Sequence, residues 1–345
     1  VAKTYTVRSK GGRISFQFSK RTFLILLLLT GIAFGLFILS LCMGSRFIPP
    51  TDVLLHIFGQ GEGNTFVLNT LRIPRTLLAV LVGAALAVSG LILQGLIRNP
   101  LASPDIIGIT SGASFGAIMF IVFWMGTVPI AYQSLWAIAG AFAVSCLIYL
   151  LSWKKGVKPI TLVLMGIGIS AIMKACVTFT LVLSDTMTTT KSYIWLTGSL
   201  YGSTMKDVIA MLPWVLMILP IVMVLARTMN VKELGDDLAT GLGVKVQAKR
   251  LFFLLMSVTL AGIAVAFAGG IEFVGLMAPH VARMIIGRSF IALVPASALV
   301  GSILVMLADL VARTAFLPLD VPAGVFTAAI GAPFFIYLLY QQRNR

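Results

Sequence analysis

Apolar runs of about twenty residues, parted by short polar breaks, organise the whole chain. An uncharged run of that length spans hydrocarbon as a helix. Such runs fall at about 22–43, 76–96, 109–125, 134–152, 159–183, 208–226, 251–268, 273–286, 291–310 and 323–340. The eighth is short and broken by Pro279, and a further apolar piece at 192–200 is too brief to span. The pattern predicts an all-α polytopic membrane protein with about ten transmembrane helices. A β-barrel would show short alternating segments instead.

The longest polar interruption is Asn230 to Lys249. Within it Val231, Leu234, Leu238 and Leu242 recur every three or four residues, which predicts one short helix with one apolar face. Glu233, Asp236 and Asp237 are its polar neighbours, and Gly241 and Gly243 end it and turn the chain. An exposed apolar helix face suits a groove on a partner. The alternative is a helix lying on lipid, which acidic residues beside an anionic leaflet disfavour.

Composition agrees with the pattern: 59% of the 345 residues are hydrophobic and 11% are charged. The net charge of +15 would suggest nucleic acid in a soluble protein. Here the cations sit mostly in short loops, where they set topology. With ten helices and both termini inside, roughly nineteen of the 26 Lys and Arg are cytoplasmic and about six are outside. Residues 1–21 then form a basic cytoplasmic tail, and 22–345 the membrane domain. A cleaved signal peptide is the rival reading, but the first run is long and no small-x-small site closes it.

Two blocks resemble each other, Gly83 to Gly108 and Gly262 to Gly287: a Gly/Ala-rich helix followed by a Pro-interrupted short segment. The first begins outside and the second inside. That is the signature of an inverted repeat of helices two to five against seven to ten.

Candidate chemistry is sparse. No phosphate-binding G-x-x-x-x-G-K-[ST] pattern occurs, and His56 and His280 are far apart. Cys42, Cys146 and Cys176 have no metal or disulfide spacing. The chain is expected to perform no covalent chemistry and to bind no metal. Asn99 and Pro100, within the Arg98 to Pro104 segment, free backbone groups near the membrane. That segment either lines a path or makes a rigid re-entrant turn. Gln94, just before it, is a further path candidate. Lys174 is a charge in mid-helix that faces a path or snorkels. Arg72 and Arg75 flank Pro74 outside the second helix, and Arg313 stands four residues from Asp309, with which it can pair. Arg72 and Arg75 read either as headgroup contacts or as sites for a partner's carboxylates, and the pairing of Asp309 leaves Arg313 available at the membrane surface.

The stretches LRIPRTLLAVLVGAALAVSGLILQGLIRNPLASPDIIGITSGASFG, IEFVGLMAPHVARMIIG, LADLVAR and VPAGVFTAAIGAPFFIYLL together resemble the FecCD-type permeases of bacterial ABC importers for iron–siderophores, haem and cobalamin. The resemblance implies a permease in the bacterial cytoplasmic membrane, most often for ferric siderophores, with cobalamin or haem as alternatives. An ion-coupled secondary transporter is a more distant alternative. It implies a second permease subunit, identical or paralogous, two ATPase subunits that hold the ATP and Mg, and an extracytoplasmic binding protein. It places an ATPase cleft against Val231 to Gln247, with Val231, Glu233, Leu234, Leu238, Gly241, Leu242 and Gly243 as the contact. It matches Arg72, Arg75 and Arg313 to arginines that meet carboxylates of the binding protein. The Glu-Ala-Ala signature of other ABC permeases is absent. Asp320 stands one place from the family's usual acid and receives no role.

Overall fold

A computed structural model describes residues 4–8, 15–60, 63–154 and 156–343. Lys3, Lys10, Arg13, Lys155 and Arg345 therefore lie outside the described residues. Strands β1 (Thr4–Arg8) and β2 (Ser15–Ser19) pair antiparallel, with Thr4 opposite Ser19. The basic tail expected from the sequence thus carries a pair of strands. Its alternating aromatic and β-branched residues were the signal for a hairpin.

Helix α1 (Lys20–Cys42) begins at Ser19, whose Oγ accepts from the Thr22 N–H. The short α2 (Pro50–Ile57) follows, then a π-helical turn, Val67–Arg72, that runs into α3 (Ile73–Ile97). Arg72 and Arg75 are thus helical rather than in a loop. The series continues with α4 (Ile109–Phe123), α5 (Tyr132–Leu151) and α6 (Pro159–Val182). Next is α7 (Thr186–Thr197), longer than the apolar run at 192–200, because Asp185 caps it through the Thr188 N–H and draws the Thr-rich stretch into the helix. Then come α8 (Met205–Val224), α9 (Ala226–Glu233), α10 (Asp236–Gly241), α11 (Val246–Ala268), α12 (Val274–Ile286), α13 (Phe290–Thr314) and α14 (Ala323–Arg343). Among the described residues eight helices are long and apolar enough to span a membrane, and α4 and α12 are shorter apolar helices. Together they are the ten expected.

The core is built on α3. Of its most apolar window 89% is buried, against 22% for α6 and 28% for α14. Small residues allow this, since lipid supplies no hydrophobic drive between helices and close backbone packing has to serve. A Cβ on Gly83 would collide with the Gly301 carbonyl oxygen, and one on Gly90 with that of Gly275. Ser89 Oγ lies 2.7 Å from Ser257 Oγ, tying α3 to α11, and Ser302 Oγ donates to the Val80 carbonyl at 2.8 Å, tying α13 to α3.

The two halves repeat one design. A long helix, α3 or α11, is followed by an irregular segment and a short helix, α4 or α12. Gly108 (φ 87) opens α4 and Phe273 (φ 67) opens α12. Gly275 lies against Gly90 and the Leu86 carbonyl, within the length of α3, so α12 starts inside the bundle. Pro104 reaches the same place, where its Cδ would be 2.9 Å from a Cβ on Gly275. The two irregular segments therefore meet inside the bundle, away from lipid. We expect Gly90→Val to lower stability by about 3 kcal/mol, the upper end of overpacking costs, because the Cβ meets backbone. Gly168→Val on exposed α6, where a Cβ meets nothing within 4 Å, is the control. Folded yield by size exclusion in detergent separates them, and equal yields would refute the contact.

Candidate functional site

At one end of the bundle α9 and α10 form a polar cap. The single helix expected there is two, because Gly235 takes φ 121 and breaks the run. The break changes the apolar face. Leu234, Leu238 and Leu242 remain 61%, 61% and 66% exposed, but Val231 is half-buried and leaves the row. Glu233 is exposed within the field of Arg283 and Arg288. Gly241 ends α10, and Gly243 (φ 82) turns the chain towards α11.

This cap is seated firmly. Arg250 donates to Asp236 at 2.7 Å and also to the Val157 carbonyl. The Val157 N–H donates to Gln247 Oε1 at 3.1 Å, and the Phe290 N–H to Asn230 Oδ1 at 3.2 Å. Ala239 faces inward and is fully buried. Lys232 is buried beneath the cap, its ammonium without a hydrogen-bond partner among the described residues. Burial, then the Arg250 charge, pulls that amine down to about 8. The cap thus presents three exposed leucines on a backbone pinned from three sides.

The path candidates separate. Gln94 is buried: its Nε2 donates to the Leu276 carbonyl at 3.3 Å, and its Oε1 accepts from Arg283 Nη1 at 3.2 Å. It ties α3 to α12 and does not face open space. Asn99 is exposed and its Oδ1 accepts from the Leu101 N–H at 2.9 Å, with Pro100 half-buried in the same turn. Lys174 is exposed on the open face of α6, beside Ile172. Two carboxylates were missed. Asp105, in the irregular segment before α4, accepts from Thr110 Oγ1 at 2.7 Å and lies in the field of Glu272, which is exposed before α12. An acid within an apolar stretch was the available signal.

The opposite end holds the arginines, and here expectation and geometry part. All three are buried: Arg72 5%, Arg75 8% and Arg313 8% exposed. Arg72 donates to the carbonyls of Leu41 (2.6 Å), Cys42 (2.8 Å) and Arg46, closing the end of α1. Arg75 Nε donates to Asp309 at 2.8 Å, while Nη1 and Nη2 grip Asp320 at 2.7 and 2.9 Å. Arg313 donates to the Ser40 carbonyl, and its Nε lies 3.6 Å from Asp309. As placed, none of them is presented to a partner or to headgroups, and Arg313 is not at the surface. Each guanidinium is spent on the carbonyls of the α1 terminus or on two internal carboxylates. Asp320, given no role, is half of the Arg75 clamp.

Comparison with known proteins follows this geometry. The sequence pattern of the FecCD transport family matches residues 27–341. The chain is 46% identical over 334 residues to the achromobactin transport system permease protein CbrC of Dickeya dadantii, covering 96% of each. It is 42% identical over 310 residues to the iron(3+)-hydroxamate import system permease protein FhuG of Bacillus subtilis, covering 88% of this chain and 92% of that one. A solved inward-facing structure of a metal-chelate type ABC transporter superposes with a TM-score of 0.81 at 32% identity, covering 92% of this chain and 99% of that chain.

Proposed function

The chain belongs to the FecCD transport family, and from that premise we propose that it is the permease through which an ATP-driven importer moves ferric siderophores into a bacterial cell. The observation that carries the coupling is the row Leu234, Leu238 and Leu242, apolar and exposed on a firmly seated cap. Exposed leucines on a pinned segment are what a partner's groove requires. That partner is an ATPase subunit, two per complex, which holds the ATP and Mg. The cap is then cytoplasmic, both termini are inside, and the membrane is the bacterial cytoplasmic membrane.

A second permease, a copy or a paralogue, covers the open faces of α6 and α14. Lys174 then faces the path between the two, with Asn99 and Pro100 nearer its cytoplasmic mouth. A binding protein delivers the chelate outside. Docking through Arg75 requires a carboxylate of that protein to take the place of Asp320, the more exposed of its two partners at 27% against 3%.

Uptake in a strain lacking this chain tests the reading. Loss of labelled ferric siderophore uptake, restored by the chain and indifferent to an uncoupler while ATP is held constant, is expected. Loss of cobalamin or haem uptake alone would reassign the substrate. Collapse with the uncoupler would point to an ion-coupled transporter.

A further inference from the structure

At the outer end a cavity of about 590 Å³ opens between the start of α5, helix α7, the start of α8 and the end of α11. We propose that this cavity holds the headgroup of an anionic phospholipid from the outer leaflet. Its volume lies in the range of small-molecule sites.

Depth is the first argument. Trp124 stacks on Trp136 with ring centroids 4.4 Å apart, and Trp195 and Tyr201 line the cavity itself. Trp and Tyr gather where hydrocarbon meets headgroups, so this end of the bundle sits at that level. Charge is the second. Of the six outer cations, three are the buried arginines, whereas Lys191 and Lys206 are exposed and both line this cavity. Neither makes an ion pair among the described residues. Asp207 also borders the cavity, but its carboxylate accepts from the Thr204 N–H and Thr204 Oγ1, at 2.8 Å each, and caps α8. Two ammonium groups therefore face an apolar floor that includes Ile121, Met125 and Phe267.

The third argument separates a lipid from a soluble anion. Leu135 turns outward beside the cavity, and Ile209 and Leu212 turn outward one and two turns deeper than Lys206, at 58%, 62% and 38% exposure. A phosphodiester held by Lys191 and Lys206 places its acyl chains along those residues. A ferric chelate would leave them bare. Charge-assisted contacts to phosphate favour an anionic headgroup over a zwitterionic one of equal chain length.

The test uses the full chain purified into nanodiscs of mixed phosphatidylglycerol and phosphatidylcholine. Native mass spectrometry counts retained lipid. Bromine-labelled phosphatidylglycerol quenches tryptophan fluorescence, with Trp195→Phe identifying the share that comes from the cavity. Selective retention of phosphatidylglycerol is expected, with Lys191→Gln/Lys206→Gln weakening it about tenfold or more. Lys191→Arg/Lys206→Arg, which keeps the charge, should retain it, as should Lys158→Gln at the other end. Equal retention of both lipids, or retention indifferent to the Gln variants, overturns the proposal. So does displacement of the lipid by a ferric chelate, which would give the cavity to the substrate.

Discussion

Replacing Leu234, Leu238 and Leu242 together by serine should leave the chain folded in the membrane and abolish its co-purification with an ATPase subunit. The side chains are 61–66% exposed, so their loss removes little from the fold itself, and exposed positions cost within about 0.5 kcal/mol each. In the proposed complex the same three leucines become buried, and each would contribute about 1.5–3 kcal/mol. A combined loss of at least about 4 kcal/mol weakens assembly roughly a thousandfold. Val231 is the internal control. Because it is half-buried against the chain, Val231→Ser should act on stability before it acts on assembly. Wild-type recovery of the ATPase on the triple variant would dissociate the cap from coupling.

Asp309→Ala should destabilise the protein by about 3–5 kcal/mol, the cost of leaving a buried charge without its partner. Asp309 is 2% exposed and sits between Arg75 and Arg313, themselves 8% exposed each. Removing it leaves buried Arg313 with no carboxylate and buried Arg75 with Asp320 alone. Asp320→Ala breaks a pair of similar length, 2.7 Å, but Asp320 is partly exposed and water replaces much of what is lost. The expected order is a large effect at 309 and a small one at 320, read as thermal unfolding in detergent. Equal shifts would mean that the outer cluster is hydrated and not sealed. Asp320→Ala carries a second expectation: with its competitor removed, Arg75 should bind the delivery protein more tightly, not less.

The spans were legible because an apolar run of about twenty residues has one stable outcome in lipid. The bounds of α4, α5, α6, α12 and α13 follow the runs closely. Local chemistry that breaks or extends a helix was harder to read. Gly235 divides the cap, yet a glycine inside a helical pattern is often tolerated. Asp185 lengthens α7 through one side-chain bond to the Thr188 N–H. The arginine end was legible only in part. Arg313 and Asp309 are four apart, so their pairing follows from spacing. Arg75 and Asp320 are 245 positions apart, and nothing local announces that they meet. Burial of the three arginines comes from that distant pairing and from the carbonyls at the end of α1, both products of the assembled bundle.

The backbone contacts at Gly83 and Gly90 bear on kinship and cargo. The stretches by which this chain is recognisable contain Gly83, Gly90 and Gly275, residues fixed by how near two backbones come and not by what passes through. Recognition of this sequence is thus recognition of a frame. Helix α6 lies outside those stretches and is largely exposed, so new side chains there leave the frame intact. On the proposed reading α6 borders the path, so an engineer seeking a new cargo should begin there and leave α3 untouched.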